Sequence, residues 1–352
     1  MIPLTDTPEA LVSAAQWLEP HGRIAVDTEA DSLHCYFEKL CLIQISVPGA
    51  DILIDPLAEM DLGPLWSAWS GKELVLHGAD YDLRLLRRAG CPMPARVFDT
   101  MLAARLSGIE GFSYAALVER YCGIKIAKAS QKANWATRPL SPQMLDYAVN
   151  DTRHLAVIVN ILQAELARLG RIPWFEQSCE KAIRSAELDK EIDREQLWRI
   201  PGSGHLRGRA AAIFRELWQW RDEEARKVDK PTFHILHSEK LVEAAAKLDA
   251  GEEIEIRHLR GSRAQKFFAA ATRGMEMEES RWPKVIRTPR QRPSQAQFSR
   301  FLELKKHRDH IAGQVQLDPS LIAAKAILEG LAFCPEETLP KLLPWQRELL
   351  KV

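Results

Sequence analysis

The stretch RIAVDTEADSL, residues 23–33, decides how this chain folds. Its opening residues form an apolar run that reads as a buried strand, and two carboxylates, Asp27 and Glu29, stand at its end. Successive strand side chains alternate faces, so residues two apart point the same way. Two like charges side by side at the end of an apolar strand repel unless a cation neutralises them. The pair therefore reads as a metal seat.

Further short β-rich runs follow: LCLIQIS (40–46), DILID (51–55) and ELVLH (73–77). Turn-like stretches separate them. Beyond residue 80 nearly everything carries helical periodicity, including DLRLLRRAG (82–90), SYAALVERY (113–121) and the long run 141–170. The pattern predicts a strand-first α/β domain followed by helical modules. Segment 281–298, with three prolines, several arginines and no acidic residue, reads as an exposed linker.

Two more carboxylates join the first pair. Asp82 lies just after a strand, in the first turn of the next helix, where acidic residues also serve as simple electrostatic caps, as Asp80 does. Asp151 follows Tyr147 by four residues, which puts both on one helical face. Hard oxygen ligands without cysteine or histidine at ligand spacing select Mg²⁺ or Mn²⁺ over zinc. Four carboxylates can hold two such ions roughly 3.5–4 Å apart, the arrangement that clamps attacking and leaving oxygens in phosphodiester hydrolysis.

At 352 residues, 46% of them hydrophobic, the chain has room for two or three domains and a substantial core. Its N-terminus lacks a basic start before an apolar stretch, and no run approaches the roughly 18 apolar residues of a membrane helix. A cytoplasmic, monomeric protein with no membrane partner is expected. The six cysteines, Cys35, Cys41, Cys91, Cys122, Cys179 and Cys334, form no CxxC pair and read as reduced packing residues. The net charge of zero conceals an asymmetry: residues 1–170 hold 15 basic and 20 acidic residues, the remainder 33 and 28. An acidic metal-binding half accompanied by a basic gripping half is compatible with a polyanionic partner.

The tail repeats itself at an offset of 87 positions, which lays Leu217, Arg221, Asp222, Ala225, Ile235, Leu241 and Ala245 on Leu304, Arg308, Asp309, Ala312, Ile322, Leu328 and Ala332. One apolar face and an Arg-Asp pair are preserved. Two copies of one small helical domain are expected.

Taken together, VDTE (26–29), HGADYDL (77–83) with FDT (98–100), and YAVND (147–151) resemble the three motifs of the DEDD 3′–5′ exonucleases, in the branch whose last motif carries tyrosine. KASQKANWATRPLS (128–141) is similar to ribonuclease D within that superfamily. WQWRDEEARKVDKPTFHIL (218–236) resembles the HRDC domain that follows the nuclease there, and LDPSLIAAKAIL (317–328) with PWQREL (344–349) resembles its divergent second copy. The resemblance implies an α/β RNase H-like (DnaQ-like exonuclease) domain with a mixed sheet at 1–170, a helical connector at 171–205, an HRDC domain at 206–285, and a basic linker with a second HRDC-like domain at 286–352. It implies that Asp27 bridges two metals, that Glu29 and Asp151 complete the site of the attacking water, that Asp82 supports the second metal, and that Tyr147 orients the water or helps to deprotonate it, positioning being the more credible role for a phenol of ordinary pKa about 10. The activity implied is removal of nucleotides from RNA 3′ ends, tRNA precursors among them, with release of 5′-monophosphates. A DNA-directed exonuclease shares these residues and is not separated from it, because the metals act on the phosphodiester and not on the sugar. An inactive nucleic-acid-binding scaffold should lack one of the five residues, and none is missing.

Leu33, His77, Gln131, Trp135 and Arg138 are candidate substrate contacts. Trp135 has a base to stack and Arg138 a phosphate to hold, with structural packing as the other reading of both. Asp99 reads as structural or as a support to a metal ligand. GSGHLRG (202–208) reads as a turn before a helix rather than a nucleotide loop, and His234, His237, His307 and His310 as surface or capping residues.

Overall fold

The computed structural model describes residues 4–126, 130–188, 193–256, 259–284 and 293–352. Its strands are β1 (Leu4–Thr5), β2 (Arg23–Ala30), β3 (Leu40–Val47), β4 (Ala50–Ile54), β5 (Glu73–Leu76) and β6 (Arg96–Asp99). They form one mixed sheet in the order β1-β4-β3-β2-β5-β6. β3 runs antiparallel to β2 and β4, while β2–β5, β5–β6 and β1–β4 are parallel. The carboxylate strand β2 is thus central, and the register sets Asp27 opposite Gln44 and Glu29 opposite Leu42. The pairing shifts between Glu29 and Ala30, where β2 leaves the sheet. Such irregularities re-aim side chains at the end of a strand.

All four strands expected from the sequence are present. β1 and β6 were not expected. β1 has only two residues, and β6 (RVFD) has only Val97 and Phe98 between charged ends, without the longer apolar run that marks the equally short β5 (ELVL, followed by His77). The long helical run 141–170 is divided at His154 into helices Pro142–Arg153 and Leu155–Arg168. Helix Gln295–Val315, opened by a Ser294/Gln297 capping box, starts inside the stretch read as linker. Residues 285–292 of that stretch lie outside the described residues.

The chain forms two compact units. The first comprises residues 1–30, 40–189 and 291–352, and the second residues 31–39 and 190–290. In the first, one sheet face buries Ile24, Val26, Ile43 and Ile45 against Leu11, Leu65 and Leu83. Ala25, Val75 and Phe98 share a second core with Ile158, Leu162 and Phe175, and with Leu304, Ile311, Ile322 and Trp345 from the C-terminal helices. Trp345 stacks on Trp174 at 5.1 Å, and its indole N–H donates to Ser178 Oγ at 3.3 Å. The C-terminal helices are therefore part of the core beneath the sheet.

In the second unit, Phe214, Leu217, Trp220 and Phe267 bring together helices Gly208–Lys227, Ser238–Asp249 and Gly261–Met275. Residues 31–39 join this unit through Asp229, whose Oδ1 accepts from the backbone N–H of Tyr36 and of Phe37, each at 3.0 Å. The Tyr36 hydroxyl donates to Asp222 at 2.8 Å.

The backbone has helix starts at the same offset of 87 positions. Helices starting at Thr232 and Ser238 have counterparts starting at Pro319 and Lys325, 87 positions on. Arg221 Nη1 donates to Leu236 O at 3.1 Å, and Arg308 Nη1 donates to Ala323 O at 2.7 Å. Asp229 and Gln316, again 87 apart, both adopt positive φ, 46° and 51°.

Because Trp345 is buried in the same core as the sheet, Trp345→Ala should cost roughly 3–5 kcal/mol and lower the transition that ends nuclease activity. Urea unfolding followed by both fluorescence and activity checks this. A transition confined to the C-terminal helices, with activity untouched, would show that the core is not shared.

Candidate active site

Asp27 and Glu29 reach one face of the sheet at the end of β2, as alternation requires. Helix Pro142–Arg153 brings Tyr147 and Asp151 over that face. Ser141 caps the helix by accepting from Met144 N–H. Two contacts lock its other end: Ser46 and Thr152 hydroxyls meet at 2.7 Å, and Arg153 pairs with Asp51. The carboxylates of Asp27, Glu29 and Asp151 consequently offer oxygens that all lie within 4.8 Å of one another.

Asp82 stands outside that trio, buried in the first turn of helix Asp80–Arg88, where Thr28 Oγ1 donates to its Oδ1. Thr28 belongs to the opposite face of β2 from its neighbours, and it ties the fourth carboxylate to the metal-seat strand. Sequence reading passes over it; the signal is a hydroxyl between two carboxylates in an otherwise apolar strand. The turn before Asp82 is held by Asp99, whose carboxylate accepts from the N–H groups of Gly78, Ala79, Met101 and Leu102. Asp99 is structural, as expected. Gly78 has φ +82°, a conformation that strains any residue with a Cβ.

Burial dominates the electrostatics. It raises Asp27 well above the usual carboxylate range, with repulsion from Asp82, Asp151 and Glu29 adding to it. Burial followed by Asp151 and Asp82 lifts Glu29 to about 9. Burial lifts Asp151 to about 7 against a hydrogen bond from Tyr147, and Asp82 to about 6 against the one from Thr28. Ionised together, these groups require a positive charge among them. A trio of oxygen donors at this spacing suits a divalent cation, so the donor set fits. Burial and the adjacent carboxylates push the Tyr147 phenol up from its ordinary value.

The expected substrate contacts divide. Leu33 is 49% exposed in the 31–39 segment, and Gln131 is exposed in a turn. His77 is half-buried beside the Tyr114 ring at 5.6 Å. Thr100 gives its hydroxyl proton to Leu76 O, so the His77 Nδ1 contact at 2.9 Å requires the proton on Nδ1. Burial lowers the His77 pKa, favouring the neutral ring. Trp135 and Arg138 are corrections. Trp135 is 1% exposed within the cluster that includes Leu42 and Tyr147, and offers no face for a base. Arg138 commits all five donor positions to Asp55, Cys41 O, Trp135 O and Thr137 O, leaving none for a phosphate. Both are internal struts.

A family model described as 3′–5′ exonuclease matches residues 3–167, and one described as HRDC domain matches 210–266. A ribonuclease D of Jannaschia sp. is 33% identical over 277 residues, spanning 74% of this chain and 71% of that protein. The chain belongs to the ribonuclease D family. Another ribonuclease D, from Gluconacetobacter diazotrophicus, is 29% identical over 98% of this chain and 89% of its own. The crystal structure of Escherichia coli RNase D superposes with a TM-score of 0.73 at 22% identity, covering 100% of this chain and 99% of that one, and shows the same fold. This ribonuclease D family member is accordingly a 3′–5′ exonuclease with an HRDC domain, of a family that uses divalent metals, and Asp27, Glu29 and Asp151 form an acidic cluster that could hold such an ion. Among the described residues, no helix is long and apolar enough to cross a membrane.

The raised carboxyls bind protons more firmly folded than unfolded. Their contribution to stability is therefore present below about pH 4 and is lost as pH rises through about 6, 7 and 9 for Asp82, Asp151 and Glu29. Metal-free protein should lose melting temperature from about pH 5 to 9, and the increase on adding Mg²⁺ or Mn²⁺ should grow over the same interval as cation displaces proton. Calorimetry with cation or chelator at several pH values tests this; a metal-induced shift of constant size contradicts it.

Proposed function

We propose that this exonuclease shortens RNA from its 3′ end one nucleotide at a time, acts on structured RNA such as tRNA precursors, and releases 5′-monophosphates. The observation that carries the reading is the cluster of Asp27, Glu29 and Asp151 oxygens within 4.8 Å of one another, with Tyr147 one helical turn from Asp151. In this reading Asp27, Glu29 and Asp151 hold one cation, and Asp27 with Asp82 the other. Bound Mg²⁺ or Mn²⁺ would supply an acidified water and offset charge on the leaving oxygen.

The chain's own residues do the rest. Tyr147 keeps its proton at neutral pH, because burial and its carboxylate neighbours raise its pKa. A phenol in that state is no general base. The phenol oxygen has lone pairs to accept from the attacking water, which fixes the direction of approach. Thr28 holds Asp82 in place, and Asp99 fixes the turn that carries Asp82. Leu33, exposed and four residues beyond Glu29 in the sequence, is the apolar candidate for contact with the terminal nucleotide.

The domain arrangement in this reading is an exonuclease at 1–170, a connector at 171–205, an HRDC domain at 206–285, and a second HRDC-like copy at 286–352. The matched arginine staples, Arg221 to Leu236 O and Arg308 to Ala323 O, support the second copy.

Tyr147→Phe should lower kcat by about 10²–10⁴-fold with KM nearly unchanged. Rate preserved with affinity lost would make the phenol a substrate contact instead. Matched 5′-labelled single-stranded RNA and DNA, each with Mg²⁺, Mn²⁺ or chelator, test the activity itself. RNA should shorten stepwise only with cation. Faster loss of DNA would reassign the substrate, and activity in excess chelator would reject the metal reading.

A further inference from the structure

Gln44 lies in the middle of β3, in a strand whose residues are buried throughout. It is 0% exposed, and neither its Nε2 nor its Oε1 has a hydrogen-bond partner. Among the described residues it is the only side chain that contributes two polar atoms to this condition. Burying a carboxamide without partners is destabilising, and such groups in native proteins call for a physical reason.

The register supplies the reason. Gln44 is directly opposite Asp27 across the antiparallel β2–β3 pair. Directly opposed residues share a face of the sheet and keep their Cβ atoms roughly 4.5–5.5 Å apart. On that face of β3, Leu42 packs with Trp135 and Ala148, and Ser46 meets Thr152. Ala148 and Thr152 belong to the helix that carries Tyr147 and Asp151. Gln44 sits between Leu42 and Ser46 in the strand, enclosed by Asp27 on one side and by Leu53 on the other, its β4 partner, which is itself fully buried.

We propose that Gln44 is a positioning residue for the metal site, its Nε2 donating to the Asp27 carboxylate when that carboxylate engages the divalent cation. An amide N–H given to a carboxylate makes a charge-assisted bond, which holds the ligand oxygen in a fixed direction. Outer partners of this type act on metal affinity through the ligand they orient. The inference rests on the reading of Asp27 as a metal ligand.

Gln44→Met keeps the length of the side chain and removes both polar atoms; Gln44→Leu is the second variant. Melting temperature in chelator and along a Mn²⁺ titration is measured for both and for the unchanged protein, with exonuclease activity along the same titration. The expected result is a metal-free melting temperature no lower than that of the unchanged protein, with the Mn²⁺ concentration for half the thermal shift, and for half the activity, raised about 10–100-fold. A lower metal-free melting temperature with an unchanged Mn²⁺ midpoint overturns the proposal, since the amide then serves the fold alone. Unchanged midpoints at unchanged stability overturn it also, as does failure of both variants to fold. No Mn²⁺-induced shift in the unchanged protein rejects the metal reading itself, which separates the two failures.

Discussion

Negative charge confined at one end of β2 is the constraint around which the rest of this structure is arranged. Burial raises all four carboxyls, and at Asp27 and Glu29 repulsion from the neighbouring carboxylates adds to it. A fold can hold such a group only if the surrounding packing supplies the stability that the charges remove. That explains why the supports are of an ordinary kind and unusually numerous: a capped helix pinned at both ends, a turn gripped by one aspartate through four N–H groups, and a core extended by the C-terminal helices.

The two hydrogen bonds to the outer carboxylates have separate consequences. Thr28 to Asp82 and Tyr147 to Asp151 each favour the ionised form, and both opposed effects leave these groups lower than Glu29, which has no such donor among its causes. Glu29 therefore holds its proton to higher pH than the other two, and cation binding must displace it. The Thr28 hydroxyl also holds one oxygen of Asp82 in place. At Asp82, ligand direction and ionisation are thus set by the same bond.

Much of the site is legible in the sequence because its residues obey short-range rules. Alternation puts Asp27 and Glu29 on one face, and helical spacing puts Tyr147 over Asp151; neither inference needs tertiary information. The strands with a clear apolar run are read correctly, whereas β6, with only Val97 and Phe98 between charged ends, is lost. Trp135 and Arg138 are misassigned for a different reason. Their types suit a base and a phosphate, but the Asp55 carboxylate that occupies Arg138 lies 83 residues away in sequence, and no local pattern announces that pairing. Thr28 escapes for the same reason, its partner Asp82 being 54 residues on.

The repeat shows how one helical corner can be used in two chemical ways. At the end of its first long helix each copy turns through a residue with positive φ, Asp229 or Gln316. In the first copy the side chain at that corner captures backbone, with the Asp229 carboxylate taking two N–H groups of residues 36 and 37. In the second the corner presents its own carbonyls: Val315 O accepts from Arg171, and Gln316 O comes so close to Gly108 that a Cβ there would approach to 2.6 Å. An acceptor is offered in both cases, by a side chain in one copy and by the main chain in the other. The residue at the corner differs between the two places, while the positive-φ backbone and the arginine that staples the following turn are the same in both.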